Sequence, residues 1–459
     1  MSVTAAPLRG ATHLVVGAGA AGMAFTDALI DHGDARVVLV DRRPGPGGHW
    51  RDAYPFVRLH QASCFYGVAS TPLGGGRLQA DGPERGLHER ATGAEVVTYY
   101  EQVLDRLLAT GRVTFLARSS WDGARLIRTP DGGEHPVPGG CRVVDATYHS
   151  GAIPATSPPP FDVLPGSTVV PVNAVLQLPS DLPEVVVVGS GKTATDACVQ
   201  LLEQGVPASR ITWVRPREPW MLNRAVVQPE PAVFQRMVAD QLEAVASSSG
   251  PDDLFRRLED AGIMLRVDPG RTPTMARTPT LAVWELELLR SVTHVVRLGR
   301  VRAVAPGLVE LEEGTLRVDP GAVVVHCAAP GLSARPLVPV WDDVVRLQSV
   351  VYPCFGAALS GYLEATRSED PEKNRLCLPT PEGDSLADWC WMQLRSAHAV
   401  AALATEPDAA AWAAGTTLNL GRVPPGQESR PAVSCALERS RAAAPGALEV
   451  LARYAGERR

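Results

Sequence analysis

The sequence predicts an α/β fold with two parallel-sheet units, and three observations predict it. His13-Leu14-Val15-Val16 is a short apolar run that breaks into Gly17-Ala18-Gly19-Ala20-Ala21-Gly22, followed by a helix-compatible stretch to His32 and a second apolar run from Arg36 to Val40. The same order recurs at Val185-Val186-Val187-Val188, Gly189-Ser190-Gly191-Lys192-Thr193-Ala194, a helix to Glu203 and the run Ile211-Thr212-Trp213-Val214. Between them, Ala152 to Pro183 holds eight prolines, a composition suited to a crossing from one unit to the next. A buried strand, a glycine turn, a helix and a second strand in register make a Rossmann-like dinucleotide-binding unit. Two in one chain imply two dinucleotides.

Each part of the first unit has a physical task. Gly17 permits the tight turn, Gly19 lets backbone approach a pyrophosphate, and Gly22 lets the helix pack closely on its strand. The helix start at Ala20 and Ala21 offers unpaired N–H groups and the positive dipole end to phosphate. Asp41 ends the second strand nineteen residues past Gly22, where a carboxylate can accept from a ribose hydroxyl, and Arg42 follows it. Arg43 to Trp50 is a Pro/Gly loop that leaves the strand's carboxyl end and carries Gly48, His49 and Trp50. Tyr54 to Gln61 then gathers aromatic, basic and amide groups, Arg58, His60 and Gln61 among them. Residues 74–86 are Gly-rich and read as an exposed loop, Val96 to Thr110 as a helix, and Val113–Leu116 and Arg142–Thr147 as strands.

In the second unit Gly189, Gly191 and Ala194 take the three turn positions, and Lys192 and Thr193 fall in the helix's first turn. Its second strand ends in Arg215-Pro216-Arg217, where a unit selective for NAD would place an acid. Arginine there can pair a 2′-phosphate through its planar fork, which predicts NADPH over NADH. From 230 to 300 the pattern turns helical, with helices at Val233–Val245, Asp252–Ala261 and Leu281–Val292 and a polar, Pro-rich loop at Arg271–Pro279. Strands resume at 301–304, 309–311 and 323–327. The last third holds an apolar run at Leu347–Val351, a helix-like Gly356–Thr366 and an Ala-rich terminal helix.

Bulk properties narrow the function. A net charge of −6 over 459 residues argues against nucleic acid as partner. The eight cysteines form no C-x-x-C pair, so neither a redox disulfide nor a metal site is indicated. The apolar N-terminal stretch lacks a basic flank, is broken by glycines and contains Asp27, which reads as neither signal peptide nor anchor. No 18-residue apolar run exists, and a cytoplasmic protein without membrane contact is expected.

Taken together, the residues resemble two-dinucleotide flavoproteins of the flavin-containing monooxygenase type. Five matches carry the resemblance: Gly17-x-Gly19-x-x-Gly22 with Asp41; Gly47-Gly48-His49-Trp50; Tyr54-Pro55 through Arg58-Leu59; Val144-Asp145-Ala146-Thr147; and Gly189-x-Gly191-x-x-Ala194 with Arg215. The tail around Pro353-Cys354-Phe355-Gly356 resembles actinobacterial members of unassigned activity. The resemblance implies FAD on the first unit and NADPH on the second. It implies a discontinuous FAD-binding domain, 1–155 and 331–459, with the NAD(P)H-binding domain inserted at 156–330 and carrying a helical insert at about 230–300. It further implies hydride transfer from NADPH to the flavin and hydroxylation of a small-molecule substrate by O2 through a C4a-(hydro)peroxyflavin, in a monomer or homo-oligomer. His60 and Gln61 are then the catalytic candidates near the isoalloxazine, beside His49 and Trp50. Two departures stand out. Val170 takes the place of the histidine in the family's F-x-G-x-x-x-H fingerprint, and Ala328-Ala329-Pro330-Gly331 replaces its A-T-G-Y element. A reductase or dehydrogenase without oxygenation, and a non-catalytic FAD-binding redox sensor, remain the alternatives.

Overall fold

The computed structural model describes residues 8–151, 153–329 and 335–456. Five short parallel strands make the first sheet, in the order Val345–Arg346, Arg142–Asp145, His13–Val16, Val37–Val40, Val113–Leu116. The central strands have apolar middles, Leu14-Val15, Val37 to Val40 and Val143-Val144, because both faces are covered. Helices Ala20–His32, Gly93–Ala109 and Pro353–Thr366 build the core on one face. On the other, the small antiparallel sheet Ser120–Trp121, Leu126–Arg128, Glu134–Pro136 places Ile127 against Leu14, Val38 and Val143. Ala20–His32 and Pro353–Thr366 lie almost backbone to backbone: a Cβ on Gly361 would stand 2.3 Å from the Phe25 carbonyl oxygen.

The second sheet is also parallel, in the order Val295–Val296, Ile211–Val214, Val185–Val188, Val323–His326, Thr168–Pro171. Helices Lys192–Glu203 and Val283–Arg290 cover one face. An antiparallel sheet of Val301–Ala305, Leu308–Leu311 and Gly314–Arg317, edged by Asp162–Val163, covers the other. The Pro-rich crossing is therefore not wholly irregular. It supplies two edge strands, where a missing N–H is tolerated.

The chain is thus an α/β protein with two Rossmann-like sheets, and the stretch 230–300 carries its helices at Pro231–Ala246, Pro251–Asp260 and Val283–Arg290. It also takes part in a three-stranded sheet of Met264–Arg266, Pro219–Asn223 and Met275–Leu281. The last strand occupies much of what reads in the sequence as a polar loop, and its pairing shifts register between Trp220 and Leu222, which accommodates Pro279. The apolar run Leu347–Val351 adds no strand to the first sheet. Pairing ends at Arg346, and Val351 takes a left-handed φ of 60° that a β-branched residue rarely adopts. Helices Leu386–Leu403 and Pro431–Ala455 enclose a further core in which Phe255 lies between Trp220 and Trp389. Among the described residues, no helix is long and apolar enough to cross a membrane.

Candidate functional site

Both glycine turns stand at the carboxyl ends of their sheets, where open α/β folds leave their crevices. Gly17 has a φ of 103°, and a Cβ there would meet Thr147 at 2.9 Å. A Cβ on Gly22 would stand 1.8 Å from the Gly17 carbonyl oxygen. Gly19 is the N-cap of helix Ala20–His32 and gives it no side-chain hydrogen bond, so the first-turn N–H groups of Ala20 and Ala21 await an acceptor. Gly48, at φ 57°, crosses directly over it, and a Cβ on Gly48 would meet the Gly19 Cα at 2.9 Å. The two glycines keep the space above the helix end clear, which fits a pyrophosphate.

Asp41 is buried and already employed. Its Oδ2 accepts from the Ala18 N–H at 2.7 Å and its Oδ1 from the Arg43 N–H at 2.8 Å, so it also braces the turn. Arg42 and His49 are exposed, whereas Trp50 is half-buried against the first core. Arg58 is exposed and donates to the Arg90 carbonyl at 3.2 Å.

At the second turn Gly189 has a φ of 146°, and a Cβ on the N-cap Gly191 would meet nothing within 4 Å. Helix Lys192–Glu203 likewise starts without a side-chain cap, with Thr193 and Ala194 in its first turn. This end too fits a pyrophosphate. The two arginines diverge. Arg215 is 1% exposed, lies over Trp213 at 4.5 Å and pairs with Glu218 at 3.0 Å, which turns it inward. Arg217 is partly exposed, pairs with Asp384 at 2.7 Å, and its N–H reaches the Ser190 hydroxyl at 3.2 Å.

Lys192 is also turned inward, and it exposes a feature that spacing could not reveal. Its Nζ binds Asp196 Oδ1 at 2.5 Å and Glu285 Oε1 at 3.3 Å. The other Asp196 oxygen accepts from the Tyr54 hydroxyl at 2.6 Å, and the other Glu285 oxygen from Arg224 at 2.8 Å. Arg224 continues to Glu84, which Arg90 holds at 2.8 Å. Three acids and three bases thus form one chain, balanced in charge, across both units and the 230–300 stretch. Glu84 comes from the Gly-rich stretch that reads as exposed, yet it is 5% exposed. Burial pushes the Asp196 carboxyl up, but Lys192 and the Tyr54 hydroxyl outweigh it and leave it below the usual carboxylate range. The chain floors a cleft of about 520 Å³ walled by Pro55, Phe56, Arg58 and Trp284. His60 and Gln61 are half-buried, and the His60 carbonyl oxygen accepts from Arg224 Nε at 2.9 Å.

Comparison with known proteins places this geometry. Residues 15–68 match a family model described as an NAD(P)-binding Rossmann-like domain. An uncharacterized protein of Mycobacterium tuberculosis is 40% identical over 415 residues, covering 89% of this chain and 77% of the relative, and one of Mycobacterium bovis matches equally. The chain belongs to their family. Among solved structures it is similar to an oxidized steroid monooxygenase bound to NADP, at 15% identity and TM-score 0.47 over 95% of this chain and 97% of the other. It is similar to cyclohexanone monooxygenase at 17% identity and TM-score 0.43, over 95% and 98%. A bacillithiol disulfide reductase from Staphylococcus aureus follows at 11% and 0.39, over 70% and 76%.

Proposed function

We propose that the chain is an FAD- and NADPH-dependent oxidoreductase that oxygenates a small-molecule substrate. One observation carries the reading: two uncapped, glycine-opened helix starts stand at the carboxyl ends of two parallel sheets. FAD would be held by Gly17 to Gly22, Asp41, Arg42, Gly48, His49, Trp50 and Arg58, within 1–155 and 331–459. NADPH would be held by Gly189, Gly191, Thr193, Ala194 and Arg217, within 156–330. When bound, the two cofactors supply hydride transfer and delivery of electrons to O2. The chain's own residues orient them: backbone N–H groups meet the pyrophosphates, Asp41 fixes the first turn, and His60 and Gln61 offer hydrogen bonds to the reacting ring or the substrate.

The purified protein is expected to be yellow, with FAD equimolar to the chain, and to bleach anaerobically on addition of NADPH. Absence of flavin from protein refolded or expressed with excess FAD rejects the reading. Val170 lies within an edge strand paired to Val325, and no histidine stands at that position. This favours a second reading, a reductase that returns electrons to O2 as peroxide. Coupling of NADPH consumption to oxygenated product, against peroxide release, decides between them.

Nucleotide selectivity should rest on Arg217. A lost charge-assisted hydrogen bond is worth about 1.5–3 kcal/mol, so Arg217→Ala should raise the KM for NADPH roughly tenfold or more and leave NADH nearly unchanged. Arg215→Ala should lower the melting temperature and leave the NADPH/NADH ratio alone. Equal losses for both nucleotides in Arg217→Ala would mean that it holds the Asp384 contact and nothing more.

A further inference from the structure

The buried ion network does more than join distant segments, because it fastens two aromatic rings. The Trp284 indole N–H donates to Glu84 at 3.3 Å. The Tyr54 hydroxyl donates to Asp196 at 2.6 Å, and Phe56 packs on the Tyr54 ring with centroids 4.7 Å apart. Glu84 is held in turn by Arg90 at 2.8 Å and by the Gln79 amide at 3.1 Å. Trp284 and Phe56 are thus both tied to the floor of the cleft of about 520 Å³ whose walls they form. Buried ion pairs of this kind are often no more stabilising than apolar packing of equal volume. Stability alone is therefore a weak reason for the network. A rigid aromatic cleft is a better one, since walls already in place spare a ligand the entropy of ordering them. The volume suits a small molecule, and the cleft opens where the two units and the 230–300 stretch meet, a common position for such sites. No residue of either glycine turn lines it.

The charges select the ligand. Five carboxylates line the cleft, those of Asp81, Glu84, Asp196, Glu203 and Glu285, against the two guanidiniums of Arg58 and Arg90. Lys192 and Arg224 stand behind the floor and neutralise its acids. Arg90 is occupied by Glu84 and by the Leu59 carbonyl. Asp81 and Glu203 are exposed and have no ion-pair partner among the described residues. Arg58 is left to answer two free acids.

We propose that this cleft is a binding site for an organic cation with a flat apolar body, additional to the two nucleotides: Phe56 and Trp284 flank the ligand, and Asp81 and Glu203 supply the opposite charge. A cation is drawn to the faces of aromatic rings as well as to carboxylates. An acid-lined cleft with low-dielectric walls also concentrates positive ligands. An anion would meet the carboxylates, and a neutral ligand would leave both free acids unanswered. Burial, and then the neighbouring Glu285, push the Glu203 carboxyl above its ordinary range against the pull of Arg58. A bound cation would relieve that pressure.

The test is titration calorimetry on the purified protein with four probes: benzylammonium, benzyltrimethylammonium, benzyl alcohol and benzoate. Both cations should bind, with the alcohol roughly tenfold weaker and benzoate undetected. Glu203→Gln and Asp81→Asn preserve the shape of exposed side chains outside the network. Each should weaken the cations roughly two- to fivefold and leave the alcohol unchanged. Trp284→Leu should weaken the cations roughly tenfold. Its indole also holds Glu84, so if that variant does not fold the two acid variants decide the matter. Cations that bind no more tightly than benzyl alcohol overturn the proposal. Full cation affinity in the double variant Glu203→Gln, Asp81→Asn overturns it as well, because the cations would then sit elsewhere. The site does not use the cofactors, so protein without FAD rejects the functional reading above and leaves this measurement valid.

Discussion

Gly22→Ala should abolish flavin retention and destabilise the first sheet, although it adds a single methyl group. That methyl would stand 1.8 Å from the Gly17 carbonyl oxygen and 3.2 Å from the Ala146 Cβ. Both neighbours belong to the turn and to the adjoining strand connection, and neither is a side-chain tip that can swing away. The helix must move off its strand, and overpacking of this kind costs about 1–3 kcal/mol, occasionally more. Gly191→Ala gives the contrast. It also adds one methyl at a nucleotide turn, but nothing lies within 4 Å of it. The fold should keep its melting temperature while the KM for NADPH rises, because the added carbon occupies space a pyrophosphate would use. Denaturant unfolding and FAD content of both variants check the pair. Gly22→Ala with normal flavin content would mean the helix start is not where FAD is held.

Glu364→Gln should cost about 3–5 kcal/mol, the usual penalty for stripping one partner from a buried ion pair. Glu364 binds Lys373 and the Trp341 indole, each at 2.7 Å, and His13 at 3.1 Å, with Arg142 at 3.4 Å. Lys373 is itself buried and would keep one carboxylate partner, Asp370 at 3.2 Å. Burial opposes ionisation of Glu364, but these partners prevail and hold its carboxyl down to about 2, against 4.5 for an ordinary glutamate. The folded value lies below the unfolded one, so the stabilisation is full above pH 4.5 and is lost as pH falls toward 2. Wild-type stability should therefore decline across that acid window, and the Gln variant should start lower and decline less. Parallel curves for the two proteins would show that other carboxylates govern acid unfolding.

The sequence carries the strands and glycine turns in legible form because their pattern is local. Val185 to Val188 and Gly189 to Ala194 announce themselves within ten residues. Helix Leu386–Leu403 was also marked, by the Ser385 and Asp388 capping box, a signal easily passed over in a segment of mixed composition. Strand Met275–Leu281 was hidden because Pro273 and Pro279 mimic a loop, and only its bulged pairing partner makes it extended. The ion network was beyond reach for a different reason. Lys192 and Asp196 stand one helical turn apart, but Tyr54, Glu84, Arg90, Arg224 and Glu285 share no spacing with them, and each looks like an ordinary surface or helix residue until the fold assembles them. For Arg215 and Lys192, spacing located the backbone correctly but could not say which way a long side chain turns.

The near contact of helices Ala20–His32 and Pro353–Thr366 has a consequence for synthesis on the ribosome. The first sheet gains its last strand only at Val345–Arg346, and Gly361 meets Phe25 later still. By then every strand of the second sheet, Thr168–Pro171 through Val323–His326, has already been made. The half begun first is therefore finished last, and its opening helix must wait with an apolar face uncovered while more than three hundred residues follow. Contacts of such long range are slow to form and leave surfaces open to association in the meantime. The small residues along that helix pair, Gly33 and Ala365 as well as Gly361, leave the late-arriving helix a smooth track on which to dock.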